Sequence, residues 1–582
     1  MINELMQFGI TDDIASSVIS KYLTRKHINK DDLPEIFNPS KELLHDVYSA
    51  RGSREWLYKL MHLKDDNITI IGDYDADGIL SAAVAQLGLK ALGIGKCVNK
   101  YVPLRTDGYG TTPESVNNLM RQFPDTTALL LTDNGVAAFD GIKRAKELGL
   151  KVLITDHHLG KEEDVCADAI VDVNRIHDDY PFKGLSGTGI IWKLLVKFAE
   201  ILAPEKQDAI KSLADLVGVS VITDVMPMRN ENRWFVKQAL AELNHPTRLA
   251  WRSLLRILRA KNRLYGPVID EDTIGFTIGP ILNAASRVTG SPSLAYELFE
   301  TNDPVLAITL SEKLVQLNET RKQTVNGLVE QIRERYGNNE FNSIADVEII
   351  PIGYAGLIAS NLTNRFQCPS VVFGAGRHDT GYLIGSARSP EWFNIVDAFD
   401  KLNKQGLIVQ YGGHAGAAGL KIKSSDFKKF QAALAKIVDD FAGTVPRYLV
   451  GPDSDIRIKF NHDAIIGDYL TINGQVIEKE RLLKIIHMFS KIAPFGNSFE
   501  RPLTELDGVN LTNASKMGAN QQHLKIRTKE IDVLKWNDEH DHDDISQDQP
   551  LSAFGTLSIN EWRGKQTPQL VADKLIVDDE EG

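Results

Sequence analysis

The sequence predicts an α/β protein built on a parallel sheet, followed by a long helical connector, a second module and a C-terminal region of short strands. Three observations lead there. Short apolar, β-rich runs alternate with helix-like segments between residues 67 and 160, the order expected of a parallel sheet covered by helices. Residues 291–337 carry two helical patterns, the second running from Pro304 to Tyr336. Beyond residue 447 the chain breaks into short strands and turns, among them "IRIKF", "HLKIRT" and "EIDVLKW".

The first strand is "NITIIG", and it closes on Gly72 just before "DYDADG", where Asp73, Asp75 and Asp77 stand two apart. Carboxylates this close raise one another's pKa and oppose folding unless a metal ion, a basic cluster or solvent neutralises them. The second strand, "TALLLTDNG", ends at Asp133, and the third, "LKVLITDHHLG", at Asp156, His157 and His158. The intervening "GILSAAVAQLGLKALGI" and "FDGIKRAKELG" are helix-like. Ligands of such sheets bind outside the carboxyl ends of the strands, so three strands deliver acids and imidazoles to one edge. A lone Asp after a strand ordinarily caps the next helix. Repetition on three strands points instead to a shared site.

"LADLVGVSVITDVMP" adds Asp224, on a segment whose apolar positions fit either a buried helix or a strand. Carboxylates with a neutral imidazole and no thiolate suit Mg²⁺ or Mn²⁺. Bridging carboxylates favour two ions, which can clamp the attacking and leaving oxygens of a phosphoryl transfer. Of the paired histidines, one can ligate metal while the other holds or protonates a phosphate oxygen.

Composition frames the rest. A chain of 582 residues exceeds one core and implies three or four domains. No run of about 18 apolar residues occurs, so no membrane partner is expected. The opening "MINELMQFGITDD" does not resemble a signal peptide. Cys97, Cys166 and Cys368 lie far apart without C-x-x-C spacing and fit a reducing compartment, hence a cytoplasmic location. A net charge of −12 is the wrong sign for binding nucleic acid over the whole surface, so any such contact depends on local patches. One patch is "RLAWRSLLRILRAKNR" (248–263), where Arg248, Arg252, Arg256, Arg259 and Arg263 share a helical face opposite Leu254, Leu255 and Leu258. That face either follows a phosphate backbone or pairs with acidic neighbours.

These motifs together resemble the DHH phosphoesterase superfamily, whose naming triplet is here Asp156-His157-His158, and within it the RecJ family of bacterial single-strand-specific exonucleases. "VPLRTDGYG" (102–110) resembles the family's Arg-containing loop, and "ADAIVDVNR", "YPFKGLSGTGI" and "SVITDVMPMRNENR" follow in the expected order. "GPILNAASRV" (279–288) resembles the last core motif. "IGYAGLIASNL", "GSARS" and "YGGHAGAAGL" resemble the DHH-associated domain. The resemblance is strong over residues 50–420 and weaker beyond. Ser286 and Ala387 depart from it where the family often has Gly, which bears on how closely a strand approaches.

Residues 1–48 read as a helical, polar segment without a motif, and the resemblance implies a parallel-sheet DHH core (49–290), connecting helices (291–337), a smaller α/β DHH-associated domain (338–446) and a C-terminal OB-fold β-barrel (447–582). It implies that Asp75, Asp77, Asp133, His157 and Asp224 hold two divalent ions, Mn²⁺ preferred and Mg²⁺ accepted. Asp133 would bridge them, Asp73 would add to or orient the shell, and Asp156 would stand behind it. His158, Asp133 and Arg105 form the implied catalytic set, with His158 facing the scissile phosphate. Arg105, Arg287 and Asn283 would bind substrate from the core side of a cleft, and Ser386, Arg388 and His414 from the other. The implied activity is 5′→3′ degradation of single-stranded DNA to 5′-mononucleotides in repair and recombination, with a single-strand-binding protein or helicase as recruiting partner. Two alternatives stand beside it. One is a small-substrate phosphodiesterase, oligoribonuclease or pyrophosphatase of the same superfamily, and the other a non-catalytic DNA-binding scaffold. In the C-terminal region Trp562, Arg563 and Lys565 are candidate strand contacts, and the acidic "NDEHDHDDISQDQP" (537–550) reads as a mobile loop.

Overall fold

Five strands form the first sheet: β1 (Asn67–Gly72), β2 (Cys97–Tyr101), β3 (Ala128–Thr132), β4 (Lys151–Asp156) and β5 (Ala169–Asp172). All pair in parallel, in the order β2-β1-β3-β4-β5. The computed structural model describes residues 1–102, 110–159, 164–264, 268–336, 344–347, 352–374, 381–390, 392–442, 454–463, 467–472, 475–509, 514–518, 521, 523–528, 531–536, 550–562 and 564–577. Continuous apolar strands demand cover on both faces. Ile68, Ile70, Leu130 and Leu153 face α1 (Ala76–Leu92), α2 (Gly187–Leu202) and α3 (Ala214–Thr223). Leu129, Leu131, Val152 and Ile154 face the helices Pro113–Gln122 and Phe139–Glu147. The ambiguous segment around Val217 is thus a helix, and Asp224 is its C-cap. Because α1 is enclosed by sheet and helices it is apolar all round rather than striped.

Beyond the core come α4 (Leu249–Ala260), a π-helical turn Ile274–Ile278, α5 (Gly279–Thr289) and α6 (Pro304–Tyr336), the long connector expected from the pattern. A second sheet contains β6 (Ile344–Val347), β7 (Ser370–Gly374), β8 (Tyr382–Arg388), β9 (Gln410–His414) and β10 (Ala417–Lys423) in the order β6-β7-β8-β10-β9. α7 (Ile352–Phe366) covers one face together with the end of α6, through Ile358, Leu362, Val325 and Ile332. Helices Ile395–Lys404 and Phe427–Ala442 cover the other.

The C-terminal region is a mixed nine-stranded sheet, not the closed barrel expected. Its strands are β11 (Ile456–Asp463), β12 (Gly467–Ile472), β13 (Gln475–Ile477), β14 (Leu503–Val509), β15 (Ala514–Met517), β16 (His523–Arg527), β17 (Asp532–Lys535), β18 (Leu551–Trp562) and β19 (Lys565–Val577). The order β13-β12-β11-β14-β18-β19-β17-β16-β15 leaves strands of only three and four residues at its edges. Closure would require β13 to pair with β15, and among the described residues they do not. The N-terminal segment is helical and bridges core and C-terminal region. Buried Arg233 donates hydrogen bonds to the carbonyls of Glu35 (3.3 Å), Ile36 (2.8 Å), Ile492 (2.9 Å), Ala493 (3.3 Å) and Pro494 (2.9 Å). One guanidinium thereby ties three distant stretches of chain.

Candidate active site

Gly72 lies opposite Thr132, and Thr132 opposite Thr155, so Asp73, Asp133 and Asp156 leave β1, β3 and β4 at one level. The three aspartates of "DYDADG" then take different roles. Asp75 is the N-cap of α1, its Oδ1 accepting from Gly78 N at 3.1 Å. Asp77, one residue into the helix, points back into the core. Its Oδ2 accepts from Gly187 N (2.8 Å), and its Oδ1 from Thr188 N (3.0 Å) and Ser220 Oγ (2.6 Å). It thus sits on the N-terminus of α2, where amides and helix dipole favour an anion. Asp133 adopts a left-handed backbone, φ 60°, which turns its side chain into the space between α1 and α2. Only a glycine at 187 permits that approach, because a Cβ there would lie 2.6 Å from Asp133 Cβ.

His157 Nε2 is 3.0 Å from Asp133 Oδ1, 3.5 Å from Asp224 Oδ2 and 3.7 Å from Asp77 Oδ2. None of these is a hydrogen bond: His157 Nε2, Asp133 Oδ1 and Asp224 Oδ2 are all buried with no such partner. Two overlapping groups, Asp133-His157-His158 and Asp77-His157-Asp224, bring ligand atoms within 4.8 Å of one another. Burial, reinforced by Asp77, Asp75 and Asp224, pushes the Asp133 carboxyl well above the carboxylate range. Burial, then Asp77 and Asp75, pushes Asp224 up to about 9. Burial also lowers the pKa of His157 despite the surrounding carboxylates, which favours the neutral imidazole needed for ligation.

His158 behaves oppositely. Burial alone would lower its pKa, but the hydrogen bond from Nδ1 to Asp156 Oδ1 (2.7 Å) and the Asp156 charge bring it up to about 9. Asp156 in turn is fully buried, which would raise its own pKa. The bond and charge of His158 and the amide of Val136 (3.0 Å to Oδ2) outweigh that and hold it below the usual range. His158 keeps 42 % of its side chain exposed.

The second domain joins the core through α7, which packs on α5 and on the end of α6. Arg388, Ala417 and His414 stand in register across β8, β10 and β9, so their side chains share a face, with the small Ala and Gly residues of β10 leaving it open. Ser386 lies on the same face, and its Oγ accepts from Arg388 Nη1 at 3.2 Å. Gly356 of α7 packs against both, a Cβ there meeting Ser386 Oγ at 3.0 Å. His414 is exposed. Arg287 of α5 reaches across and donates to Gly353 O at 2.9 Å, and Asn283 lines the cleft beside it. Arg105 lies outside the described residues, as do Arg563, the Trp562 side chain and residues 537–549 of the acidic run. The arginine stripe divides. Arg248 forms a two-pronged pair with Asp215 (2.7 and 2.8 Å) and Arg263 pairs with Glu319 (2.8 Å), whereas Arg252, Arg256 and Arg259 are exposed.

Three families match the chain in sequence: DHH family, N-terminal domain, over residues 67–221; DHHA1 domain over 347–440; and RecJ OB domain over 472–574. The single-stranded-DNA-specific exonuclease RecJ of Haemophilus influenzae is 30 % identical over 537 residues, covering 87 % of each chain. The chain belongs to the RecJ family. The RecJ of Bacillus subtilis is 28 % identical over 95 % of this chain and 67 % of its own length. A solved exonuclease RecJ bound to manganese is 26 % identical, covers 69 % of this chain and 98 % of its own, and superposes with a TM-score of 0.56. The RecJ of Thermus thermophilus in complex with Mn²⁺, 23 % identical over 99 % of this chain and 77 % of its own, superposes with a TM-score of 0.76 and supports the fold.

Within this RecJ fold the residues fit a divalent cation. Buried ligand-type oxygens and an imidazole nitrogen without hydrogen bonds are groups that a cation would satisfy, and the set contains no thiolate. Of the expected ligands, Asp77, Asp133, His157 and Asp224 converge. Asp73 and Asp75 stand next to them, close enough to act on Asp133, but outside the groups of converging atoms. The sequence reading assigned no role to Gly187, Thr188 and Ser220, which hold Asp77, nor to Tyr296, whose hydroxyl donates to Asp73 O and Gly78 O at 3.1 Å. The "SGTG" of "LSGTGI" did carry a signal: a Ser followed by small residues opens a helix whose amides await an anion. Trp536, just beyond β17, is exposed beside His523.

Among the described residues, no helix is long and apolar enough to cross a membrane.

Proposed function

We propose that this chain is a divalent-metal-dependent exonuclease that degrades single-stranded DNA from its 5′ end to 5′-mononucleotides, in DNA repair and recombination within the cytoplasm. One observation carries the reading. In a RecJ-family chain, three buried ligand-type atoms converge without hydrogen bonds at the carboxyl edge of the sheet. Asp75, Asp77, Asp133, His157 and Asp224 would hold two ions, Mn²⁺ preferred, with Asp133 bridging and Asp73 orienting the shell. When bound, such ions act as Lewis acids on water and phosphate and neutralise developing charge.

The remaining chemistry belongs to the chain. Amides of α2 and the Ser220 hydroxyl keep Asp77 immobile, so the cluster is pre-organised. Asp156 keeps Nδ1 of His158 protonated and the imidazole charged, so that His158 would act as hydrogen-bond donor to an oxygen of the scissile phosphate. Ser386 and Arg388 offer a hydroxyl and a guanidinium to the terminal phosphate from the other wall, with Arg105, Arg287, Asn283 and His414 completing the grip. The exposed Arg252, Arg256 and Arg259 of α4 extend the reading as contacts to the strand's backbone. The domain limits 49–290, 291–337, 338–446 and 447–582 are part of the proposal, as is recruitment by a single-strand-binding protein or helicase.

The test uses two strands, one labelled at the 5′ end and one at the 3′ end, with Mn²⁺. Immediate release of labelled mononucleotide from the first, with gradual shortening of the second, is the expected outcome. Hydrolysis of dinucleotides or pyrophosphate alone would move the chain to a small-substrate activity, and binding without cleavage would make it a scaffold. Asp133→Ala should abolish turnover while single-strand binding persists, and equal turnover in variant and parent would overturn the metal assignment.

A further inference from the structure

The "DYDADG" turn between β1 and α1 carries Asp73, Asp75 and Asp77, and it is tied down by a side chain 223 residues further along the chain. The hydroxyl of Tyr296 donates to Asp73 O and to Gly78 O, each at 3.1 Å, so one proton is shared between the two ends of the turn. Asp75 and Asp77 lie between those two anchors. The slot that receives the hydroxyl is made by glycines. A Cβ at Gly72 would collide with it, and a Cβ at Gly78 would collide with the backbone of Asp73. The tyrosine itself is fixed from behind. It is 2 % exposed and belongs to the helix Ser293–Glu300, which packs on α1. Lys100 of β2 stands 4.9 Å over its ring and pairs with Glu300 at the end of the same helix. Burial, and then the charges of Asp73, Asp75 and Asp133, push its phenol well above the usual range, so the hydroxyl keeps its proton. Packing alone does not call for that hydroxyl. A phenylalanine would fill the same volume, whereas the oxygen must be stripped of water to enter.

We propose that Tyr296 is a positioning residue of the metal site, whose hydroxyl closes the Asp73–Gly78 turn and thereby sets the spacing at which Asp75 and Asp77 present their oxygens to a divalent ion. The inference rests on the metal reading of the cluster. Its role is separate from that of Gly187, Thr188 and Ser220, which hold the Asp77 carboxylate itself. Tyr296 holds the backbone from which both Asp75 and Asp77 project. Groups behind the ligands orient them, and an ion feels their loss through the ligands' geometry. Mg²⁺ demands near-ideal octahedral distances of about 2.0–2.1 Å, so it suffers more than the larger Mn²⁺ when that spacing relaxes. The helix that bears Tyr296 leads into α6, so the segment that joins the two domains also closes the metal-binding turn.

The experiment compares the full-length parent, Tyr296→Phe and Tyr180→Phe. Tyr180 is the control, because its buried hydroxyl donates to Glu231 Oε1 at 2.6 Å and the same substitution there removes a comparable bond without touching the turn. Mn²⁺ affinity is read without substrate from the electron paramagnetic resonance of the free ion. Single-strand binding is measured in EDTA, and kcat and KM are measured with Mn²⁺ and with Mg²⁺. Tyr296→Phe should weaken Mn²⁺ binding by about tenfold or more, the usual effect of removing a partner behind a metal ligand. Its kcat should fall, further with Mg²⁺ than with Mn²⁺, while KM for the strand and binding in EDTA stay at the parent's values. Tyr180→Phe should keep the parent's Mn²⁺ affinity. Equal Mn²⁺ affinity in Tyr296→Phe and parent, or an equal loss in Tyr180→Phe, overturns the positioning role alone. A loss that extends to strand binding in EDTA would mark a general folding defect and overturn it too. A parent that binds no Mn²⁺ would overturn the metal reading, and the inference with it.

Discussion

Adding one methyl group at position 187 should disable the site while leaving the fold intact. In Gly187→Ala the new Cβ would stand 2.6 Å from Asp133 Cβ and 2.7 Å from its Oδ1. Non-bonded carbons rest at about 3.5–4.0 Å, so the methyl demands about 1 Å of relief. Neither side yields easily. Asp133 is locked by its left-handed backbone and by its amide donating to Thr155 O at 2.8 Å. The start of α2 is locked by Asp77, which accepts from the amides of Gly187 and Thr188. A catalytic group misplaced by about 1 Å loses about 10²-fold in rate. Overpacking of this kind costs about 1–3 kcal/mol of stability, which a chain of this size tolerates. The assay is kcat on the 5′-labelled strand together with Mn²⁺ titration and denaturant unfolding. A variant whose kcat and Mn²⁺ affinity both stay within twofold of the parent would refute the claim that this glycine exists to admit Asp133.

Three further outcomes follow from the same geometry. Asp224 has its pKa raised from 3.8 to about 9, so at pH 7 the metal-free carboxyl holds a proton that Mn²⁺ must displace. Calorimetry in buffers of different ionisation enthalpy should then record release of about one proton or more, and zero release would contradict the protonated cluster. The sign for stability is the same: a carboxyl raised on folding destabilises the metal-free protein as pH climbs from 3.8 toward 9, and Mn²⁺ should reverse that slope. Arg233→Ala leaves the carbonyls of Ile36, Ile492 and Pro494 without their donor and should cost about 3–5 kcal/mol in denaturant unfolding, whereas a loss below about 1 kcal/mol would show that the clamp is dispensable. Replacing Arg252, Arg256 and Arg259 together by Ala should weaken single-strand binding and reduce the log–log salt slope by about 2; an unchanged slope would mean that α4 never meets the strand.

The strand–helix alternation was legible because a buried parallel strand must be apolar along its whole length, and "NITIIG", "TALLLTDNG" and "LKVLITDHHLG" are. For the same reason the sequence pattern alone puts Asp133, Asp156, His157 and His158 at one edge. The period of α6 likewise survived, since a connector helix is specified locally. What failed to show was whatever depended on contacts between distant residues. "DYDADG" offers three similar carboxylates, yet Asp75 caps a helix while Asp77 enters the core, a division set by where α2 begins. Five arginines of one helical face look equivalent until Asp215 and Glu319 claim two of them. The C-terminal strands were recognisable one by one, but whether their edges meet is a matter of long-range pairing, and among the described residues they do not. Local pattern decides which residues are strand, helix and acid, because propensity and period act over a few positions. Which carboxylate loses its water and which arginine stays exposed are decided only when remote segments pack, because burial and pairing have no signature in a short stretch of chain.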